Sequence, residues 1–430
     1  MKPIYNLAVM ALLLAITSCN KATQKITNSK DYNAYLNTKE NEMLQLAQND
    51  YTFWEKKLEK EPNQFPYLVK AATSQSLIFK ETGNIEDLIE AGHKLEEVNK
   101  RTNYSKSGYL RALARNNISQ HQFREALKHL KKAELIGESL KATQKMLFDV
   151  YFELGNYAEV ETYLDKIENY KDFDFLIRLS KWKDHQGDLD AAITYLEKAA
   201  QMAEATKNKW TMEWVYTNLA DFYGHNGQVE DSYNYYLKSL KINPNDAYAK
   251  KGIAWIVYSY EHNPKEALRI LDAISKTNAS PSYYLLKAEI AKYMGDVKAK
   301  NDNLNAYFTA VNNKAYGNMY NKYNAILYSE DLNQIQSALS IANTEIKNRP
   351  TPQSYDLLAW AYYNHGDAKE ALKIMEDHVV NKTYEPHTLY HLAEVYKANG
   401  NEKEAEKLKE ELQKSTFELG PIVTEKINNI

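Results

Sequence analysis

His387 and His391 stand four residues apart, so on a helix both imidazoles face the same side, at a spacing that can bind zinc. A zinc-protease pattern also needs a glutamate directly after the first histidine, and Thr388 stands there instead. Glu394 lies further along the same helix and could add a third ligand. Two exposed histidines on a groove-facing helix are the simpler account, so no metal and no cofactor are expected. His185, His225 and His365 each sit just before a turn glycine and read as turn and cap residues. The chain has no glycine-rich phosphate loop and no nucleophile elbow, and Cys19 is its one cysteine. No pair of carboxylates stands out as an acid–base couple. The run KEAEKLKEELQK (403–414) spaces opposite charges along a helix and reads as a solvated, ion-paired face. These residues point away from catalysis and towards binding.

The elements that would position a binding surface are helical. In 430 residues there are only 14 glycines and 10 prolines, and no valine-rich alternating runs, which argues for helices over sheets. A net charge of −3 is near neutral at this length, so no nucleic acid is expected as a general partner. The stretch 213–246 shows the organising unit. Tyr216, Leu219, Ala220 and Tyr223 fall on one helical stripe; Gly227 marks a turn; Ser232, Tyr236 and Ser239 line a second helix that Pro244 ends. Neither short helix could bury its stripe alone.

This unit resembles a tetratricopeptide repeat, with all eight of those slots suitably filled. It recurs. Turns at Gly83, His121, Gly155, Gly187, Gly227, Asn263, Gly295, Gly366 and Gly400 each separate one helical run from the next. Most spacings are 32–40 residues, and the gap from 295 to 366 holds a degenerate unit near 319–350 with its turn at Glu330–Asn333. Residues 107–140, 352–385 and 386–414 match well, 281–314 and 319–350 weakly. Residues 49–64 read as the second helix of an atypical terminal repeat, whose first helix would lie around 34–48. The resemblance implies an all-α, right-handed α-solenoid of about ten repeats over 31–414, stacked around a continuous core with a concave face. The tail, 415–430, departs from the pattern. Gly420-Pro421 is expected to stop the last helix, and Ile422, Val423 and Ile427 then form a folded-back cap or a frayed end.

The resemblance also places ligand-facing positions on the first helix of each repeat. Carried over, they are Trp214 and Asp221; Tyr248, Lys251, Trp255 and Tyr258; Asp356, Trp360, Tyr363 and Asn364; and His387, Tyr390 and Glu394. Aromatic groups there give large contact area for little entropy lost. The alternative is that several pack between repeats, because an insertion near Glu261–Asn263 leaves the register of the 248–267 unit open by one residue. Asn218 suits a carboxylate clamp, but Gly252 stands where an Arg would be needed, so binding of a C-terminal carboxylate is not expected.

Residues 1–18 read as a signal segment: Lys2, an apolar run Leu7–Ile16 too short to span a membrane, then Ile16-Thr17-Ser18-Cys19. This resembles a bacterial lipoprotein signal, which implies cleavage before Cys19 and lipid on its thiol. An ordinary secretory signal with an incidental cysteine is the alternative. Residues 19–30 carry Lys21, Lys25 and Lys30 and no acid, and read as a flexible tether. The expectation is a non-enzymatic, lipid-anchored scaffold in the bacterial envelope, at the outer membrane, facing periplasm or surface. Its partners would be a protein or peptide segment in the groove and a membrane through the lipid. A nutrient- or glycan-binding outer-membrane lipoprotein is the second expectation, weakened because no large insertion is visible.

Overall fold

The computed structural model describes residues 25–38 and 40–430. The signal segment, Cys19 and Lys21 lie outside the described residues. Helices α1 (Ser29–Leu36) and α2 (Glu42–Lys60) precede ten helical hairpins. The first five pair α3 (Pro66–Thr82) with α4 (Ile85–Arg101), α5 (Ser107–Ser119) with α6 (Phe123–Ile136), α7 (Leu140–Glu153) with α8 (Tyr157–Lys166), α9 (Phe173–His185) with α10 (Leu189–Thr206), and α11 (Lys209–His225) with α12 (Val229–Ile242). In the next two, α13 (Ala247–Trp255) runs into a π-helical turn (Ile256–Tyr260) and pairs with α14 (Pro264–Ile274), and α15 (Ser282–Tyr293) pairs with α16 (Val297–Val311). The last three pair α17 (Asn321–Glu330) with α18 (Ile335–Asn348), α19 (Pro352–Asn364) with α20 (Ala368–His378), and α21 (Pro386–Ala398) with α22 (Glu402–Leu412). A last helix, α23 (Thr416–Asn428), follows. No described helix is long and apolar enough to cross a membrane.

The slots work as the spacing predicts. In α11 and α12, Tyr216, Leu219, Ala220, Tyr223, Ser232, Tyr236 and Ser239 are all buried. The small members leave room for the neighbouring helix, and the large ones fill what remains. At the turn between them Gly227 takes φ +76°, and the N–H of Gln228 donates to the Tyr223 carbonyl at 2.8 Å. Both weak units, 281–314 and 319–350, fold as hairpins too.

Two expectations need correction. Residues 34–48 and 49–64 are not two helices of one repeat. Glu42–Lys60 is a single helix, because nothing between Leu46 and Trp54 interrupts its run, and it packs on α3. The tether is shorter than 19–30. The backbone N–H groups of Ile26 and Thr27 donate to Glu261 at 2.8 and 2.5 Å, Tyr32 donates to Glu266 at 2.7 Å, and α1 docks on α12 and α14. Gly420-Pro421 breaks the last helix as expected: Gly420 leaves the helical region at φ 75° and ψ 170°, and helix resumes beyond it within α23.

The superhelix coils until its turns touch. The N–H of Ala279 donates to the Thr82 carbonyl at 2.7 Å, and Asn278, 197 residues from Glu81, donates to the Glu81 carbonyl. Further along, Asn313 meets Glu86, Arg124 meets Lys347, and Arg349 pairs with Glu153 at 2.9 Å. Gly155 lets the carbonyl of Pro350 approach, where a Cβ would come within 3.1 Å of it. About six hairpins therefore complete a turn, and the wall of the solenoid closes on itself. Lys181 and Arg349 together hold Glu153 below the usual carboxylate range against its burial, and Arg349→Ala removes the second of them. The variant is expected to lose about 1–2 kcal/mol in chemical denaturation, and to show a larger radius in small-angle scattering as the turns move apart. An unchanged radius would mean that other contacts hold the turns together.

Candidate functional site

The coiled wall surrounds a partly open cavity of about 620 Å³. Its sides come from α11, α13, α15, α17, α19 and α21, the first helices of successive hairpins, and α23 lies across it. This is the concave face the repeat spacing anticipates, deepened into a cavity that is still partly open to solvent at Tyr248 and Tyr323.

Of the thirteen expected groove residues, seven line this cavity: Asp221, Tyr248, Lys251, Trp255, Asp356, His387 and Tyr390. Two of them, Asp221 and Tyr248, bond to each other. The Asp221 carboxylate accepts from the hydroxyls of Tyr236 and of Tyr248, the latter at 2.6 Å. Burial pushes its carboxyl up, and the two tyrosine bonds resist that. Tyr236 reaches this position across Gly252, where a Cβ would meet the ring at 2.1 Å. That contact explains why the slot cannot carry the arginine a carboxylate clamp would need. Asp356, pushed up by burial, faces the His391 Nδ1 at 2.9 Å, which holds it back. His391 in turn stacks on Trp360, with ring centroids 3.8 Å apart. Burial drops His387 to about 4, so it is neutral at pH 7. Lys322 and Glu385, 3.7 Å apart, stay charged because each offsets the other's burial.

The remaining residues lie elsewhere. Trp360 is buried, its indole N–H donating to Glu330 at 2.9 Å, and Tyr363 stacks on it and donates to Glu394. Asn364 donates to the Trp360 carbonyl. Trp214 is exposed on α11, edge-on to Phe173, away from the cavity. Tyr258 is a correction. Expected in the groove, it is fully buried in the core between hairpins. The π-helical turn at Ile256–Tyr260 holds the one-residue insertion and rotates Tyr258 inward.

Several lining residues escape the repeat pattern altogether. Glu289, Lys300, Lys322 and Tyr323 come from the two weakest repeats, and Phe417, Leu419 and Lys426 from the tail. The apolar character of the tail was the available signal for Phe417 and Leu419, and nothing in the sequence singled out Lys426. His225, read as a turn residue, faces Glu418 of α23 at 3.7 Å.

The profile of the tetratricopeptide repeat family matches residues 174–206 and 215–246, which are α9–α10 and α11–α12. These two hairpins are tetratricopeptide repeats. No curated protein matches the chain. Among solved structures, a human IFIT1 dimer with m7Gppp-AAAA is 18% identical, with a TM-score of 0.40 over 75% of this chain and 80% of that one. A monomeric IFIT1 mutant with Gppp-AAAA is 17% identical, with a TM-score of 0.40 over the same shares. A tetratricopeptide repeat protein from Parabacteroides merdae is 15% identical, with a TM-score of 0.34 over 56% of this chain and 93% of that one. The repeat protein resembles these at low score, and the resemblance extends to no ligand.

Glu289 gives the cavity a measurable signature. Burial pushes its carboxyl up to about 7, against the pull of Tyr258, Lys292 and Lys251. A raised folded-state value means that the stability from this group is complete below about 4.5 and is lost as pH rises through about 7. Glu289→Gln keeps the neutral form at every pH. Between pH 5 and pH 8 the wild type is therefore expected to lose roughly 2–3 kcal/mol relative to the variant, read from urea melts at each pH. Parallel curves would show that the carboxyl is solvated.

Proposed function

We propose that this repeat protein is a binding scaffold of the bacterial cell envelope, anchored by lipid on Cys19, that takes a segment of a protein partner on its concave face. The reading involves binding alone and no catalytic step. The observation that carries it is the convergence of aromatic and charged side chains from six successive hairpins on one cavity, with Tyr248 and Tyr323 still exposed on its lining. Such a surface suits a peptide, whose backbone and side chains need both apolar area and hydrogen-bonding partners. Lys251 adds a cation that makes no ion pair among the described residues.

The anchor supports an orientation as well. From Cys19 to Lys25 there are six residues, which span at most about 20 Å. The chain is then fixed through Ile26, Thr27 and α1 to the middle of the solenoid. A lipid at Cys19 would hold the sixth hairpin near the bilayer and leave both ends of the superhelix free. The outer membrane, with the protein facing periplasm or surface, is the location that goes with this reading.

Two measurements test it. Cys19→Ser is expected to move the protein from the membrane fraction to the soluble fraction and to abolish labelling by a fatty-acid analogue; retention at the membrane with labelling intact would remove the anchor. A photo-crosslinking residue at Tyr323 is expected to give adducts with a discrete protein in cells. The same residue at Leu135, exposed and remote from the cavity, should give none. Adducts from both positions, or selective retention of an oligosaccharide instead, would replace the protein-binding reading.

A further inference from the structure

α23 packs on α21 and α22, as a cap on the last repeat would, and it also reaches across to α11 and to the π-helical turn of the sixth hairpin. The carbonyl of Phe417 accepts from the Trp255 indole at 3.0 Å and from the Ser259 hydroxyl at 2.7 Å, 162 and 158 residues earlier in the chain. Glu418 faces His225, and Lys426 faces Glu330 at 3.7 Å. Leu419 and Ile427 are almost fully buried against Trp360, Leu389 and Tyr390. Two glycines shape this seat. A Cβ on Gly224 would come within 2.5 Å of the Phe417 ring, and a Cβ on Gly420 within 2.9 Å of Trp255.

From these contacts we infer that the seat of α23 is a docking site for a helical segment of a protein partner. That segment carries an aromatic residue in the Phe417 slot, apolar residues in the Leu419 and Ile427 slots, and a cation opposite Glu330; α23 is its resident stand-in. The inference deepens the scaffold reading and rests on it. It specifies the partner by four requirements: a ring small enough to enter beside Gly224, a backbone carbonyl placed to accept from Trp255 and Ser259, an apolar side for the floor, and a positive charge at the far end. The polar contacts at both ends, Glu418 facing His225 and Lys426 facing Glu330, fix the direction of the segment. A backbone break at Gly420-Pro421 lets the occupant follow the curvature of the wall. Because α23 is covalently attached, a partner competes against its high local concentration. Partner capture then releases the tail.

The test uses the full chain and a fluorescent synthetic peptide of residues 414–430, read by anisotropy. Phe417→Glu keeps the tail attached but removes its ring from the slot. The variant is expected to bind the peptide at least tenfold more tightly than the wild type, whose seat is filled. Adding Gly224→Ala, which is compatible with a helix but fills the slot, should reverse that gain at least fivefold. Equal affinity in wild type and Phe417→Glu would overturn the proposal, as would indifference to Gly224→Ala. So would loss of the circular dichroism signal in Phe417→Glu, because α23 would then belong to the folding core and not be a replaceable occupant. The peptide needs no cellular partner. Binding here with no adduct from Tyr323 in cells would uphold the seat and sink the scaffold role; adducts without peptide binding would do the reverse.

Discussion

Contact between successive turns of the superhelix is the constraint on which the rest depends. A solenoid with an open pitch has a concave face bathed in solvent, and its charges there are screened and cheap to keep. Here Ala279 bonds to Thr82 and Arg349 to Glu153, so the hairpins about six apart form one continuous wall. The concave face becomes a partly open cavity, and the effective dielectric falls. Every ionisable group on it must then find a partner or change its protonation. The cavity shows both outcomes. Lys322 and Glu385 remain a pair, whereas Glu289 and Asp221 are driven up and His387 is driven neutral.

The same closure explains how a thirteen-residue helix can sit so far from its point of attachment. On an open groove α23 would gain little beyond the last hairpin. Within the coil, the far wall is close enough for Phe417 to reach Trp255 while Ile427 packs against the tenth hairpin. Aromatic residues on both walls give it apolar area, and the glycines at 224 and 420 remove the two side chains that would block its entry. Removing a methyl group at such a contact matters because protein interiors tolerate little overlap.

The hairpins were legible from local rules. Turn glycines, small residues at Ala220, Ala359 and Ala393, and terminators such as Pro244 act within one unit, and one unit is short enough for its spacing to report it. Even the degenerate repeat at 319–350 kept its turn near Asn333, which takes φ 50°. What was not legible depends on distance. Nothing local in residues 31–60 distinguishes a first repeat from a single helix, and nothing in Ile26 and Thr27 reveals that Glu261 will accept from both. The placement of Tyr258 turned on whether one extra residue would be absorbed in the loop after it or in the helix around it. The π-turn absorbs it in the helix, which rotates every side chain within the turn. The assignment of seven expected groove residues to one cavity followed from the period of the repeat. The burial of that cavity followed from the superhelical pitch, a sum of small inter-repeat rotations that no single repeat encodes.

The two ends of the chain bear on function differently for this reason. The N-terminal segment docks by hydrogen bonds to Glu261, Tyr233 and Glu266. These contacts lie on the sixth hairpin and its neighbour, and none of the three residues lines the cavity. The C-terminal segment docks across the cavity itself, through one aromatic ring, two buried aliphatic side chains, the Lys426–Glu330 pair and the contact of Glu418 with His225. Exposed pairs of that kind contribute little to stability and much to register. An attachment that uses few side chains, sits across the cavity and depends on two glycines for its fit is one that a segment of similar pattern can match. The fixed end sets where the solenoid sits, and the exchangeable end sets what it can hold.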